Sequence, residues 1–237
     1  MGAKEAFLKT GSYRPAVVAF TMKAASEAKV DAVTFDGADR GTETSPVPMM
    51  MECGTPTVYL EAQVLSCCEL LRKRGKYVPD IVMAGGFVNE TQLFKAAAMS
   101  NFAGKPYVKA IAQARAPLTA VFKAKYFTNL ASEGKLPPSF KELYGEKPET
   151  MFITYHDLEQ MFGEKVKEIP VGAIGLYTYW DRIRVGLQQL IAGVRKWRLD
   201  LIDRRDLASL TERAYKVTGI PLLEDVEKEL IEHILLD

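Results

Sequence analysis

Two glycines, Gly85 and Gly86, close the apolar run Ile81-Val82-Met83-Ala84 and are followed by Asn89 and then Gln92. A glycine pair lets backbone approach a ligand closely. Asn with Gln three positions on is the pattern of a helix capping box. The helix start beyond it presents N–H groups and the positive end of a dipole, so turn and helix together suit a phosphate. Arg115, in Gln113-Ala114-Arg115 after another apolar run, would add a paired positive charge. Lys9, and Asp36 followed by Gly37, stand at the ends of two further apolar runs. If these runs are parallel strands, all of these residues gather at one end of a sheet, where α/β proteins bind ligands.

The elements that would position them follow from hydrophobic patterning. Ala6-Phe7-Leu8 is a short strand, and a helix with Pro15 in its first turn runs to about Lys29. Val30 to Phe35 is a second strand, apolar and β-branched as a strand buried on both faces should be. A polar stretch bearing Gly and Pro extends from Asp36 to Pro56, long enough to suggest a functional loop. From Thr57 a helix carries Leu60, Val64, Cys68 and Leu71 on one face and ends in Arg72-Lys73-Arg74-Gly75. Ile81 to Ala84 is the third strand and Tyr107 to Ala112 the fourth. Strand and helix alternate, which implies βαβ units and a parallel sheet. Beyond Pro117 the pattern is helical, with a surface loop from Gly134 to Pro148 and an apolar stripe of Ile183, Leu187, Leu190, Ile191, Val194 and Trp197. A later helix stops at Gly219-Ile220-Pro221.

Composition narrows the function classes. The 237 residues carry 31 Lys plus Arg against 30 Asp plus Glu, a net charge of +1, so neither a nucleic-acid binder nor a membrane-surface binder is expected. Three cysteines without framework spacing fit a reducing compartment, and the N-terminus lacks an apolar leader, so a cytoplasmic protein is expected. Cys67 and Cys68 are adjacent on a helix and do not match a zinc pattern. His156 and His233 lack partner motifs, Met49-Met50-Met51 reads as packing, and no metal site is expected. The basic residues of Arg195-Lys196-Trp197-Arg198 and Arg204-Arg205 read as a solvated helix face. A closed eight-stranded barrel takes roughly 250 residues, yet only four strands are visible, all before residue 113. Such a sheet has open edges that the helical half or another chain must cover.

Several segments resemble the FMN-binding domain of glutamate synthase. Asp39-Arg40-Gly41-Thr42-Glu43-Thr44-Ser45-Pro46, after a strand ending in Phe35-Asp36-Gly37, is similar to that family's Gly-Gly-Thr-Gly-Ala-Ser-Pro loop. Gly54-Thr55-Pro56-Thr57 resembles the start of its next helix, Ile81 to Gly86 its seventh strand with the phosphate glycines, and Ala116-Pro117-Leu118 the segment after its eighth. Leu199-Asp200-Leu201-Ile202-Asp203-Arg204-Arg205-Asp206-Leu207 resembles its closing Gly-Arg-x-Asp-Leu segment, so the resemblance spans about Ala6 to Leu210.

The resemblance implies an α/β fold in which residues 1–118 form a parallel (βα) half-barrel, strands five to eight of a TIM barrel, followed by a mainly helical C-terminal extension over 119–237. It implies an FMN-dependent oxidoreductase of glutamate and 2-oxoglutarate metabolism, completed by a complementary N-terminal half-barrel chain or by homo-oligomerisation. By the same resemblance Lys9 lies near the flavin ring, as catalytic and cofactor-binding residue, where its charge favours the reduced anion. Asp36, Gly37, Gly85, Gly86, Gln113, Ala114 and Arg115 bind the cofactor, and Gly41, Thr42 and Ser45 bind substrate. The sequence departs from the family where Arg40 and Glu43 replace loop glycines and where Ala114 and Arg115 replace Gly and Thr. Thr119 to Lys123 contains no cysteine, so no iron–sulfur cluster is expected. Two alternatives stand beside this reading. One is a non-catalytic half-barrel subunit, or split gene product, acting in assembly. The other is a small doubly wound nucleotide-binding protein, disfavoured because no Gly-x-Gly-x-x-Gly follows the first strand.

Overall fold

The computed structural model describes residues 3–11, 14–38, 46–48, 52–102 and 104–236. The chain divides into two compact units, one of residues 1–112 with 189–237 and one of residues 113–188.

The first unit is built on strands β1 (Phe7–Thr10), β2 (Ala32–Asp36) and β3 (Asp80–Ala84), with helices α1 (Pro15–Ala28), α2 (Thr57–Lys73) and α3 (Glu90–Met99) between and after them. A two-residue hairpin, β4 (Asn101–Phe102) and β5 (Lys105–Pro106), precedes β6 (Val108–Ala112). The main sheet is parallel throughout, in the order β1-β2-β3-β6. Its strands therefore lie side by side in the order in which the chain makes them, with no reversal. The expected parallel α/β sheet of four strands is present, with boundaries shifted by one or two residues.

The two faces of the sheet differ. Val33, Phe35, Ile81 and Met83 are fully buried among Val18, Met22, Leu60, Val64 and Cys68 of α1 and α2. Each large apolar side chain placed there contributes about 1.5–3 kcal/mol. The register puts Phe7, Lys9, Thr34, Val82, Ala110 and Ala112 on the opposite face. There Ala32, Asp36 and Ala84 are buried, Thr34 and Val82 half-buried, and Phe7, Lys9, Ala110 and Ala112 exposed. Parallel sheets are ordinarily covered on both faces.

The helix ends agree with the sequence patterns. Arg72 and Lys73 occupy the last turn of α2, and Gly75 follows at φ +63°. Asn89 caps α3 in a full capping box with Gln92.

The rest of the first unit comes from the C-terminal segment. Arg195, at φ +59°, terminates the long preceding helix near Gly193. The stripe from Ile183 therefore does not extend to Val194 and Trp197, and Trp197 is exposed. Of the expected solvated basic face, Arg195, Arg198 and Arg205 are exposed, whereas Lys196 and Arg204 are not. Lys196, half-buried, lies 3.1 Å from Asp203 and 2.6 Å from Asp206. Arg204 lies over the Phe102 ring and donates to the Met99 and Thr218 carbonyls. Ion pairs and carbonyl bonds fold these residues into turns against the first unit, where a solvated helix would have left them free. Asn101 docks the segment from the other side, donating to the Ile202 carbonyl at 2.7 Å and the Asp200 carbonyl at 3.2 Å. A short helix, α9 (Glu212–Thr218), then closes on Gly219 at φ +66°, and α10 (Lys228–Leu236) ends the described chain.

The second unit is helical: α4 (Arg115–Ser132), α5 (Pro138–Tyr144), α6 (Pro148–Met151), α7 (Tyr155–Phe162) and the first part of α8 (Val171–Gly193). Gly172 and Gly175 let α8 approach α4, because a Cβ on Gly175 would lie 2.4 Å from that of Ala124. Tyr155, Leu158, Val166 and Ile174 form its core. The expected surface loop from Gly134 to Pro148 contains α5, whose Phe140 stacks on Phe127 at 4.4 Å. Pro138 at the first helical position starts that helix, and aromatic packing outweighs the local turn signals. Among the described residues, no helix is long and apolar enough to cross a membrane.

Candidate functional site

At the C-terminal ends of the strands, the structure brings four of the expected residues into two contacts. Lys9 Nζ lies 3.2 Å from Asp36 Oδ2, with Lys9 half-exposed and Asp36 buried. Lys9 sits one residue inside β1, and its side chain shares a sheet face with Asp36. An ion pair with so exposed a partner adds little stability, about 0–1 kcal/mol. Its consequence is positional, since it holds the ammonium over the strand ends.

The second contact joins Gly37 and Gly85 through Thr57. The Gly37 N–H donates to the Ala84 carbonyl at 2.9 Å, and Thr57 Oγ1 donates to the Gly85 carbonyl at 2.7 Å. A Cβ on Gly37 would lie 2.0 Å from Thr57 Oγ1, and one on Gly85 would lie 2.7 Å from the Gly37 nitrogen. Gly85 also has φ +102°. These two glycines are thus required by packing. Gly86 differs: it is exposed, at φ +78°, and no atom lies within 4 Å of where its Cβ would be. A ligand can reach the backbone at Gly86, as a phosphate requires.

The adjoining helix start offers less than its sequence suggests. Gln92 Oε1 accepts from the Val88 and Asn89 N–H groups, and Asn89 Oδ1 accepts from the Gln92 N–H. The capping box satisfies those three amides internally. Anion-holding capacity therefore rests on the glycine backbone and the remaining first-turn amides.

Gln113, Ala114 and Arg115 follow directly on β6 and belong to the second unit. Within that unit, Gln113 Nε2 donates to the Tyr179 hydroxyl at 3.0 Å, and Arg115 opens α4 with its side chain exposed. Gly41, Thr42 and Ser45 lie outside the described residues. Among the described residues, no group of three or more His, Cys, Asp and Glu could hold a metal ion. Burial pushes the Cys68 thiol well above its ordinary range, as it would for a packing cysteine.

One polar residue of this region is not suggested by any motif. Glu61, in the second turn of α2, is 2% exposed, and its Oε1 is buried without a hydrogen-bond partner. Burial holds its carboxyl well above the usual carboxylate range. It lines a cleft of about 510 Å³ within the first unit, between α2, α3 and the segment around Ser209, with Gly85 and Gly86 on its wall. The available signal was periodicity, because Glu61 precedes the buried Val64 and Leu65 by three and four residues and so falls on the inward face of α2.

Comparison of the sequence with protein-family models gave no match, and comparison with curated proteins gave none.

Proposed function

We propose that the chain is the phosphate-holding half of a (βα)8 barrel: a cytoplasmic FMN-dependent oxidoreductase resembling glutamate synthase, completed by a complementary half-barrel chain or by a second copy. The observation that carries this reading is the strand order β1-β2-β3-β6, all parallel and in chain order. A doubly wound nucleotide-binding sheet reverses its order and binds at the reversal. A barrel winds in one direction. The incompletely covered sheet face and the exposed side chains of Phe7 and Phe20, 71% and 70% exposed, support a missing covering half.

In this reading the backbone at Gly86 takes the phosphate, and Gly37, Gly85 and Thr57 fix the turn that presents it. Lys9, held by Asp36, stands where a positive charge would favour electron gain by the ring. Bound FMN would supply hydride-transfer chemistry, with a small amino or keto acid as the substrate class.

The same exposed β1 edge favours a second reading, a half-barrel that acts in assembly without catalysis. Incubation with excess FMN, gel filtration and a visible spectrum separate the two. A retained flavin band near one FMN per chain supports the enzyme. A colourless protein, alone and in its oligomer, favours the assembly reading.

A further inference from the structure

Among the described residues, the buried Oε1 of Glu61 has no hydrogen-bond partner. An unpartnered polar atom in an apolar interior costs free energy that folding alone does not recover, and native proteins leave few such atoms. The cleft that Glu61 lines is large enough for a small molecule. Its other walls are mainly apolar, among them Val58, Phe87, Met99, Leu210 and Ile220. The hydroxyls on the cleft wall are already engaged, Thr57 to the Gly85 carbonyl, Ser209 to the Ile220 carbonyl at 2.8 Å and Thr218 to the Ala214 carbonyl at 2.7 Å. Among the described residues, no cation lies within ion-pair distance of Glu61, and the other ionisable group on the cleft wall is the exposed Lys95. Arg213, on α9, which packs against α2, is held by the Tyr59 hydroxyl at 3.1 Å.

We propose that this cleft binds a small organic cation, a protonated primary amine carrying a compact apolar body, with the ammonium meeting Glu61. The cleft offers an unpartnered buried acceptor at Glu61 Oε1 and mainly apolar walls, with Lys95 exposed to solvent, and an alkyl- or arylammonium complements the acceptor and the walls. Lys95 at the rim disfavours a second positive charge, so the ligand is a monocation. An ammonium favours the ionised carboxyl, so binding sends to solvent whatever proton burial had kept on Glu61. The inference goes beyond the flavin reading and does not depend on it, since it stands on Glu61 and the walls of α2 and α3.

The test uses the full chain without flavin, with benzylamine, benzyl alcohol and benzoate as probes in isothermal titration. Benzylamine should bind about tenfold or more tightly than the alcohol, as a charge-assisted bond implies, and more tightly than benzoate. Titration in two buffers of different ionisation enthalpy should show net proton release on amine binding. Glu61→Gln, which keeps the shape of the side chain, should reduce the preference for amine over alcohol to within about twofold. Val58→Trp, at an exposed position on the cleft wall, should weaken both ligands together. Absence of saturable amine binding to the wild-type chain, or an amine preference that survives in folded Glu61→Gln, would overturn the proposal.

Discussion

Replacing Gly85 and Gly86 by alanine, one at a time, separates the glycine that packing demands from the one a ligand would use. Both have positive φ, +102° and +78°, where an L side chain costs about 1–2 kcal/mol. At Gly86 that is nearly the whole cost, because the new methyl meets open space. Part is regained through the lower entropy of the unfolded chain, about 0.4–1 kcal/mol, which leaves about 1 kcal/mol. At Gly85 the methyl would also lie 2.7 Å from the Gly37 nitrogen and 2.9 Å from its Cα, backbone atoms that cannot swing aside. Overpacking of this kind costs about 1–3 kcal/mol. Displacing the Gly85 carbonyl from Thr57 Oγ1 adds about 1 kcal/mol. Gly85→Ala should therefore be less stable than Gly86→Ala by about 2–4 kcal/mol. In urea denaturation followed by far-UV circular dichroism, that is a midpoint lower by about 1 M. The flavin reading adds the opposite order for binding, since Gly86→Ala, mild for folding, should weaken FMN at least tenfold, about 1.4 kcal/mol. If Gly86→Ala destabilises as much as Gly85→Ala, the turn is not pinned through Gly37, and the assignment of roles to the two glycines fails.

Two further outcomes are expected. Glu61→Gln should differ least in stability near pH 3, where the carboxyl is protonated in the folded and unfolded chains alike. Above about pH 4.3, the unfolded carboxyl ionises while the native one stays protonated. The unfolded state then binds fewer protons, so wild-type stability falls as pH rises, by up to about 1.4 kcal/mol per pH unit, until the native group itself ionises. Urea midpoints of both proteins from pH 3 to 8 should diverge in favour of Glu61→Gln, and a constant difference would show that Glu61 does not titrate abnormally. Asn101→Ala removes the donor that meets the Ile202 and Asp200 carbonyls. It should cost about 1–3 kcal/mol and speed hydrogen exchange across residues 196–209, whereas protection equal to wild type there would show that Asn101 does not dock the segment.

How much of this was legible in the sequence follows the range of the interactions. Strands and helices of the first half were readable because each apolar face is set by neighbours two, three or four residues away, and Gly75, Asn89 and Gly219 mark their ends through local backbone geometry. The sequence also placed Gly37, Gly85 and Gly86 at strand ends, but it did not distinguish between them. What separates Gly85 from Gly86 is a contact with Gly37 and Thr57, dozens of residues away along the chain. Arg204 was misread for the same reason, since its partners are Phe102 and the carbonyls of Met99 and Thr218. The helix from Pro138 to Tyr144 was hidden under turn-forming residues and depends on the stacking of Phe140 on Phe127. Glu61 was readable in principle, because a carboxylate three and four residues before a buried pair on an amphipathic helix faces inward.

The central claim is that this chain holds the phosphate end of a flavin mononucleotide, and discrimination between FMN and riboflavin tests it most directly. The two differ only in the phosphate, and in the flavin reading the ring would rest partly on the complementary half. Titration of each into the purified chain, followed by flavin fluorescence, should show FMN bound about tenfold or more tightly than riboflavin, with inorganic phosphate competing against FMN. Equal binding of the two, or no saturable binding of FMN, would contradict the account.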